Sequence, residues 1–190
     1  MKTLKDLEGN IIFEFESLVG ANLSNLDLSG ANFMGANLSG ANFMGANLWC
    51  ANLRGVNLRC TDFEGANLTR VNLERANLRG VNLNGANLWC ANLGMANLIC
   101  TDFEGANLTG VNLERANLER ANLERANLRG SNLTDTSFIG ANLEGSELRG
   151  SIMTRTSFED ANLRGVNFSG VKFCGCYFGG ADMDGVVFGY

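Results

Sequence analysis

Histidine and proline are both absent from the 190 residues. Without histidine the chain has no ready proton shuttle near neutral pH and no imidazole metal ligand. No run of 18 apolar residues occurs, so no segment reads as a membrane-spanning helix. The opening stretch "MKTLKDLEGNIIFEFES" is acidic and lacks a long apolar core, which argues against a secretory signal. Basic clusters are missing too. Residues 1–60 carry five acids and four bases, residues 61–130 eight and seven, and residues 131–190 seven and four. With no basic stripe to neutralise phosphates, direct nucleic-acid binding is not expected. The six cysteines (Cys50, Cys60, Cys90, Cys100, Cys174 and Cys176) form no CxxC pair. A zinc site without histidine would need four of them. They read as reduced thiols of a cytoplasmic protein.

What is present is a period of five. From Ala21 to Tyr190 the chain divides into 34 pentapeptides with no insertion. The central residue is Leu 22 times, Phe 10 times and Met twice, and it is never polar. The residue two before it is small or β-branched except at Leu26 and Cys176. The residue just before it is Asn or Asp in 27 units. On an α-helix, five residues would spray the leucines around the cylinder and leave no apolar stripe. On a flat strand, alternate leucines would face opposite sides. The pattern therefore demands a corner every five residues, always in the same sense. Three residues make a short strand with the small residue in, Asn out and Leu in, and the next two turn.

Gly fills the last position of the unit 19 times, where it supplies a positive φ. Asn before the centre suits side-chain bonding to turn backbone. The other 15 corners carry residues such as Cys50, Arg75, Arg115, Arg120 and Arg125, so the left-handed conformation is not expected at every corner. Turning while rising generates a solenoid whose coils lie ~4.8 Å apart. Burying one Leu and one Ala is worth roughly 3 kcal/mol. Ordering five residues costs about 5–10 kcal/mol. A lone coil cannot fold, and stacking must supply the difference.

These residues resemble the pentapeptide repeat family, whose motif is A(N/D)LxX, over residues 21–190. The resemblance implies a right-handed quadrilateral β-helix, all β, with four pentapeptides per coil. Residues 41–80 and 81–120 are identical at 30 of 40 positions, including "NLWCANL" and "CTDFEGANLT". A 40-residue duplication fits two coils of twenty, although 8 or 10 residues per coil would also divide it. Four units per coil give about 8.5 coils and a rod ~40 Å long.

The ends depart from the repeat. Residues 1–17 read as a β-hairpin or added strand that caps the β-helix of residues 18–190 and protects its edge. Over about 165–190 the sequence turns aromatic, with Phe173, Tyr177, Phe178, Phe188 and Tyr190. All seven units lacking Asn or Asp before the centre fall at Ser137 or later. Either the pattern drifts near an end, or these coils form a capping or homodimer surface.

Columns of period 20 nominate two outward patches. Trp49, Thr69 and Trp89 share one column, and Cys50, Arg70 and Cys90 the next, so Arg70 is placed to meet the indoles as a cation–π contact. Trp49, Arg70 and Trp89 are thus a candidate partner-binding patch, against the plainer reading of a copied surface tryptophan. Glu104, Glu124 and Glu144 stack into a candidate acidic stripe, against the plainer reading of a solvated face. Cys50 and Cys90 lie two coils apart, beyond disulfide reach, and Cys176 fills an inward slot. No base or cleft accompanies the hydroxyls and carboxylates. No catalytic residue, cofactor or metal is expected.

The composition and the family both point to a non-catalytic rod that serves as a scaffold or binds a protein partner. The family also implies an alternative, a dimeric double-stranded-DNA mimic that binds DNA gyrase or topoisomerase IV and protects against quinolones. This chain departs from that branch in its unbroken register, its lack of a helical tail and its nearly balanced central charge.

Overall fold

The computed structural model describes residues 2–189. The residue preceding each centre bridges in parallel to the residue twenty positions on, from Asn22↔Asn42 to Asn167↔Val187. Four pentapeptides therefore make one coil, and the fold is a right-handed quadrilateral β-helix. Each unit between the end coils bonds to both neighbouring coils. In one unit, Asn67 N–H donates to Ala46 O, while Leu68 and Arg70 N–H donate to Asn87 and Trp89 O. Period-five burial follows directly. The centres from Leu38 to Leu163 are fully buried, with Ala, Val, Thr and Ser between them. Most inward hydroxyls are satisfied by carbonyls 23 residues back, as Thr101 donates to Leu78 O and Thr136 to Leu113 O, both at 2.8 Å, while Ser151 donates to Leu148 O three residues back. Ser146 is the inward exception, buried with no partner for its hydroxyl.

The corners correct the sequence expectation. All 33 described corners, Asn25 to Gly185, have positive φ. The 14 without glycine, including Cys50, Arg75, Arg115, Arg120 and Arg125, sit at 53–58°. The reason is tertiary. The N–H after most corners donates back to the preceding centre, as Ala121 does to Leu118 O at 3.0 Å. With positive φ at its third residue and not at its second, this turn follows the type II pattern. Ladder bonds from the coils on either side over-determine it, so Arg and Cys accept a conformation costing roughly 1–2 kcal/mol.

Asparagine serves the corner in two ways. Its Oδ1 accepts the N–H two residues on, as Asn112 does from Glu114 at 3.1 Å. Its Nδ2 donates to the asparagine one coil back, as Asn112 does to Asn92 at 3.0 Å.

At the N-terminal end, β1 (Lys2–Asp6) and β2 (Ile11–Phe15) form an antiparallel hairpin. Asp6 holds its turn by accepting from the backbone of Glu8 and Asn10 and from the Asn10 side chain. These bonds, the Asn10 amide first, hold the Asp6 carboxyl below its ordinary pKa. β1 also pairs antiparallel with β3 (Ala31–Asn32) on the first coil, and Leu4 is buried there. Near the other end, β4 (Ile152–Thr154) and β5 (Lys172–Cys174) pair in parallel, one above the other.

Candidate functional site

Four flat faces carry everything the core leaves over. They are named here by their first bridging residue: Asn22 (first face), Asp27 (second), Asn32 (third) and Asn37 (fourth). Each unit presents outward its second, fourth and fifth residues. Charge is sorted by face, which counts along the chain do not show. The first face carries eight acids and two bases, the second two and three, the third three and five, and the fourth three and three.

Glu104, Glu124 and Glu144 all lie on the acidic first face, one coil apart. Arg125 pairs with Glu124 at 3.1 Å, and Arg164 beyond them pairs with Asp184 at 3.1 Å. Glu144 accepts from the Asn162 amide at 3.1 Å. Among the described residues, Glu104 and Glu144 have no cationic partner.

The second face holds the tryptophan patch. Arg70 lies 5.3 Å from the Trp89 ring centroid. The structure gives Arg70 this one indole rather than seating it between two. Trp49 and Trp89 are 48% and 40% exposed, enough area for a partner to cover.

On the third face, Asp135 is held between arginines. Arg155 donates to it at 2.6 and 2.7 Å, and Arg115 lies at 3.8 Å. The Arg155 hydrogen bonds are the largest cause holding the Asp135 carboxyl below its ordinary pKa, and the charges of Arg155 and Arg115 add to it. Glu74 bridges Arg54 and Arg75 on the same face.

The C-terminal aromatics divide. Phe173, Phe178 and Phe188 join the ring stack at the end of the core, with Phe168 to Phe188 at 5.9 Å and Phe173 to Phe178 at 5.7 Å. Tyr177 is elsewhere, outward on the fourth face and lying over Gly179. Tyr190 lies outside the described residues.

The cysteines are all unbonded thiols, and Cys176 packs against the core. No three His, Cys, Asp or Glu among the described residues are grouped to hold a metal ion. No helix among them is long and apolar enough to cross a membrane. The depressions are shallow and open. One of about 200 Å³ lies over Gly94 and Met95, and one of about 550 Å³ lies over Ile99 and Ile139. The charged column of the fourth face, with Ile99 and Ile139 in it, was not among the sequence expectations. Its signal was available by taking every twentieth residue from Arg59.

The pentapeptide-repeat profile matches eight copies between residues 17 and 189. The chain belongs to the pentapeptide repeat family. Among solved pentapeptide repeat structures, it is similar to HetL, a protein involved in heterocyst differentiation regulation in the cyanobacterium Nostoc sp. strain PCC 7120. The identity is 30%, over 90% of this chain and 84% of HetL, with a TM-score of 0.56. A second similar structure is QnrB1, a plasmid-mediated fluoroquinolone resistance protein. It is 21% identical, covers 93% of this chain and 87% of its own, and has a TM-score of 0.50, a likeness of fold. No curated protein sequence matches the chain.

Proposed function

We propose that this pentapeptide repeat protein is a non-catalytic, rod-shaped scaffold of a reducing, cytoplasmic compartment, and that it binds a basic protein partner through its first face. The observation that carries this reading is the segregation of charge. Eight acids and two bases share one flat face, while the whole chain has a net charge of only −5. A surface of one sign steers and orients an oppositely charged partner. Trp49 and Trp89 around the corner supply apolar anchors of the type that dominates interface energetics. The test is affinity capture from extract with the wild type and with an E104Q/E124Q/E144Q variant. A partner held by the wild type, and released by the variant and by added salt, supports the reading. Identical captured sets would sink it.

The acidic face also favours the second reading, a double-stranded-DNA mimic acting on DNA gyrase or topoisomerase IV. Magnitude weighs against it. From Asp62 to Asp182 the face spans six coil steps, ~29 Å. Its net −6 gives about one charge per 5 Å, against one per ~1.7 Å for the duplex. Titrating the protein into a gyrase supercoiling assay, with and without a quinolone, separates the two. Inhibition or protection at about micromolar protein would promote the second reading. The ring stack of Phe173, Phe178 and Phe188 is the candidate surface for an end-to-end homodimer, which Phe188→Ser would weaken.

A further inference from the structure

We propose that the fourth face is a self-complementary surface on which a second copy of this chain docks side by side and antiparallel. One outward column of this face reads Arg59, Arg79, Ile99, Glu119, Ile139, Glu159. Reversed about Glu119, Arg79 falls opposite Glu159 and Ile99 falls opposite Ile139. A two-fold axis lying in the face and perpendicular to the rod performs this reversal. It brings each outward column against itself, running the other way. Such an isologous contact uses the same patch on both copies and closes at two. The parallel alternative places Arg79 on Arg79 and Glu159 on Glu159, and is repulsive at both of those levels.

Two further observations support this face. Every ion pair among the described residues lies on the first or third face, while Arg59, Arg79, Glu119, Arg120, Glu159 and Asp160 have none. Arg79 and Glu159 sit four coils apart, ~19 Å, and cannot meet within one chain. Neither has an ion-pair partner among the described residues, so a second molecule can supply one. The centre of the pattern is also the wider of the two depressions described above. It lies over half-buried Ile99 and Ile139, where the corner residue Gly140 has no side chain to fill it. Apposing two such faces covers four isoleucines and sets Arg79 against Glu159 twice. Glu119 and Arg120 stand at the axis, so they pair diagonally, each Glu119 with the Arg120 of the other copy.

The face is narrow, and its buried area falls short of the ~800 Å² per partner of a standard stable interface. The expected dimer is therefore weak, with a Kd on the order of 10–100 µM. Exposed charge pairs also make it sensitive to salt. Sedimentation equilibrium of the full chain, at about 5–500 µM and low salt, reads this directly. In the Phe188→Ser background, which removes the end-to-end contact, R79E alone and E159R alone each place like charges twice across the axis, and each should be monomeric. An equimolar mixture of the two restores both attractions, and so does the double variant R79E/E159R. Recovery in both is the signature of this geometry. The wild type remaining monomeric over the whole range overturns the proposal. A dimer that survives R79E in that background, or one that neither the mixture nor the double variant recovers, also overturns it. E104Q on the adjacent acidic face and Phe188→Ser at the end of the rod should leave this association unchanged. Its failure is thereby distinguishable from failure of the scaffold or end-to-end readings.

Discussion

Through Asp135 every pentapeptide carries Asn or Asp before its centre, and 19 of its 23 centres are leucine. Beyond Asp135 seven of eleven units have lost that residue, and six centres are phenylalanine. The corners nevertheless persist. With Glu147 or Tyr177 in the asparagine position, the turn bond still forms, Ser151 to Leu148 at 3.2 Å and Ala181 to Phe178 at 3.1 Å. Beyond Asp135 the turn bond opens only where Ile152 and Lys172 stack directly on each other, and there the chain extends as β4 and β5. The corner is thus a property of the stack, and asparagine is an added stabiliser. In the last coils, stacked rings such as Phe138, Phe158 and Phe178, at 5.1 and 5.2 Å, supply cohesion beyond their buried area.

Core truncation should break the comparison most sharply. Leu98 is fully buried with coils on both sides, so Leu98→Ala should cost about 2–5 kcal/mol. Phe188 is 60% exposed, and Phe188→Ala should cost less than about 1 kcal/mol. Urea unfolding measures both, and equal losses would contradict a body held more tightly than its end. Next comes the ladder. Asn112 makes three side-chain bonds, to Asn92, Glu114 and Asn132. Asn112→Ala should cost about 1–3 kcal/mol, whereas Glu147→Ala should stay within about 0.5 kcal/mol. A loss at Glu147 matching that at Asn112 would show that the residue type at this position is immaterial. Ser146 runs the other way. Its buried hydroxyl has no partner, so Ser146→Ala, the residue most inward slots hold, should gain about 1 kcal/mol.

The coil and its inward set were legible because one period fixes both. A central residue that is never polar can only be core, and a five-residue step admits only a regular corner. The corner conformation at Arg120 or Cys60 was not legible. Local preference disfavours positive φ there, and the bonds that impose it come from residues 20 positions away. Charge by face was hidden for a related reason. Counting along the chain averages four faces, so the acids of the first face and the arginines of the others sum to a balanced middle, and the reversible column of the fourth is lost in it. Glu104, Glu124 and Glu144 were found because one column was followed, and Ile99 and Ile139 were missed because another was not.

The smallest expected effect tests whether the corner belongs to the stack. Cys60 is exposed at φ 55° and makes no side-chain bond. Cys60→Gly removes the left-handed penalty of roughly 1–2 kcal/mol. It adds backbone entropy to the unfolded chain worth about 0.5–1 kcal/mol. The difference favours glycine by about 0.5 kcal/mol, a shift of one or two degrees in Tm for a chain of this size. Gly80 lies directly above and already occupies the same corner one coil on, so the replacement introduces no new contact. A loss of stability instead would mean that the cysteine side chain, not the corner, was contributing there. The left-handed turn would then be cheaper in this fold than its isolated cost implies.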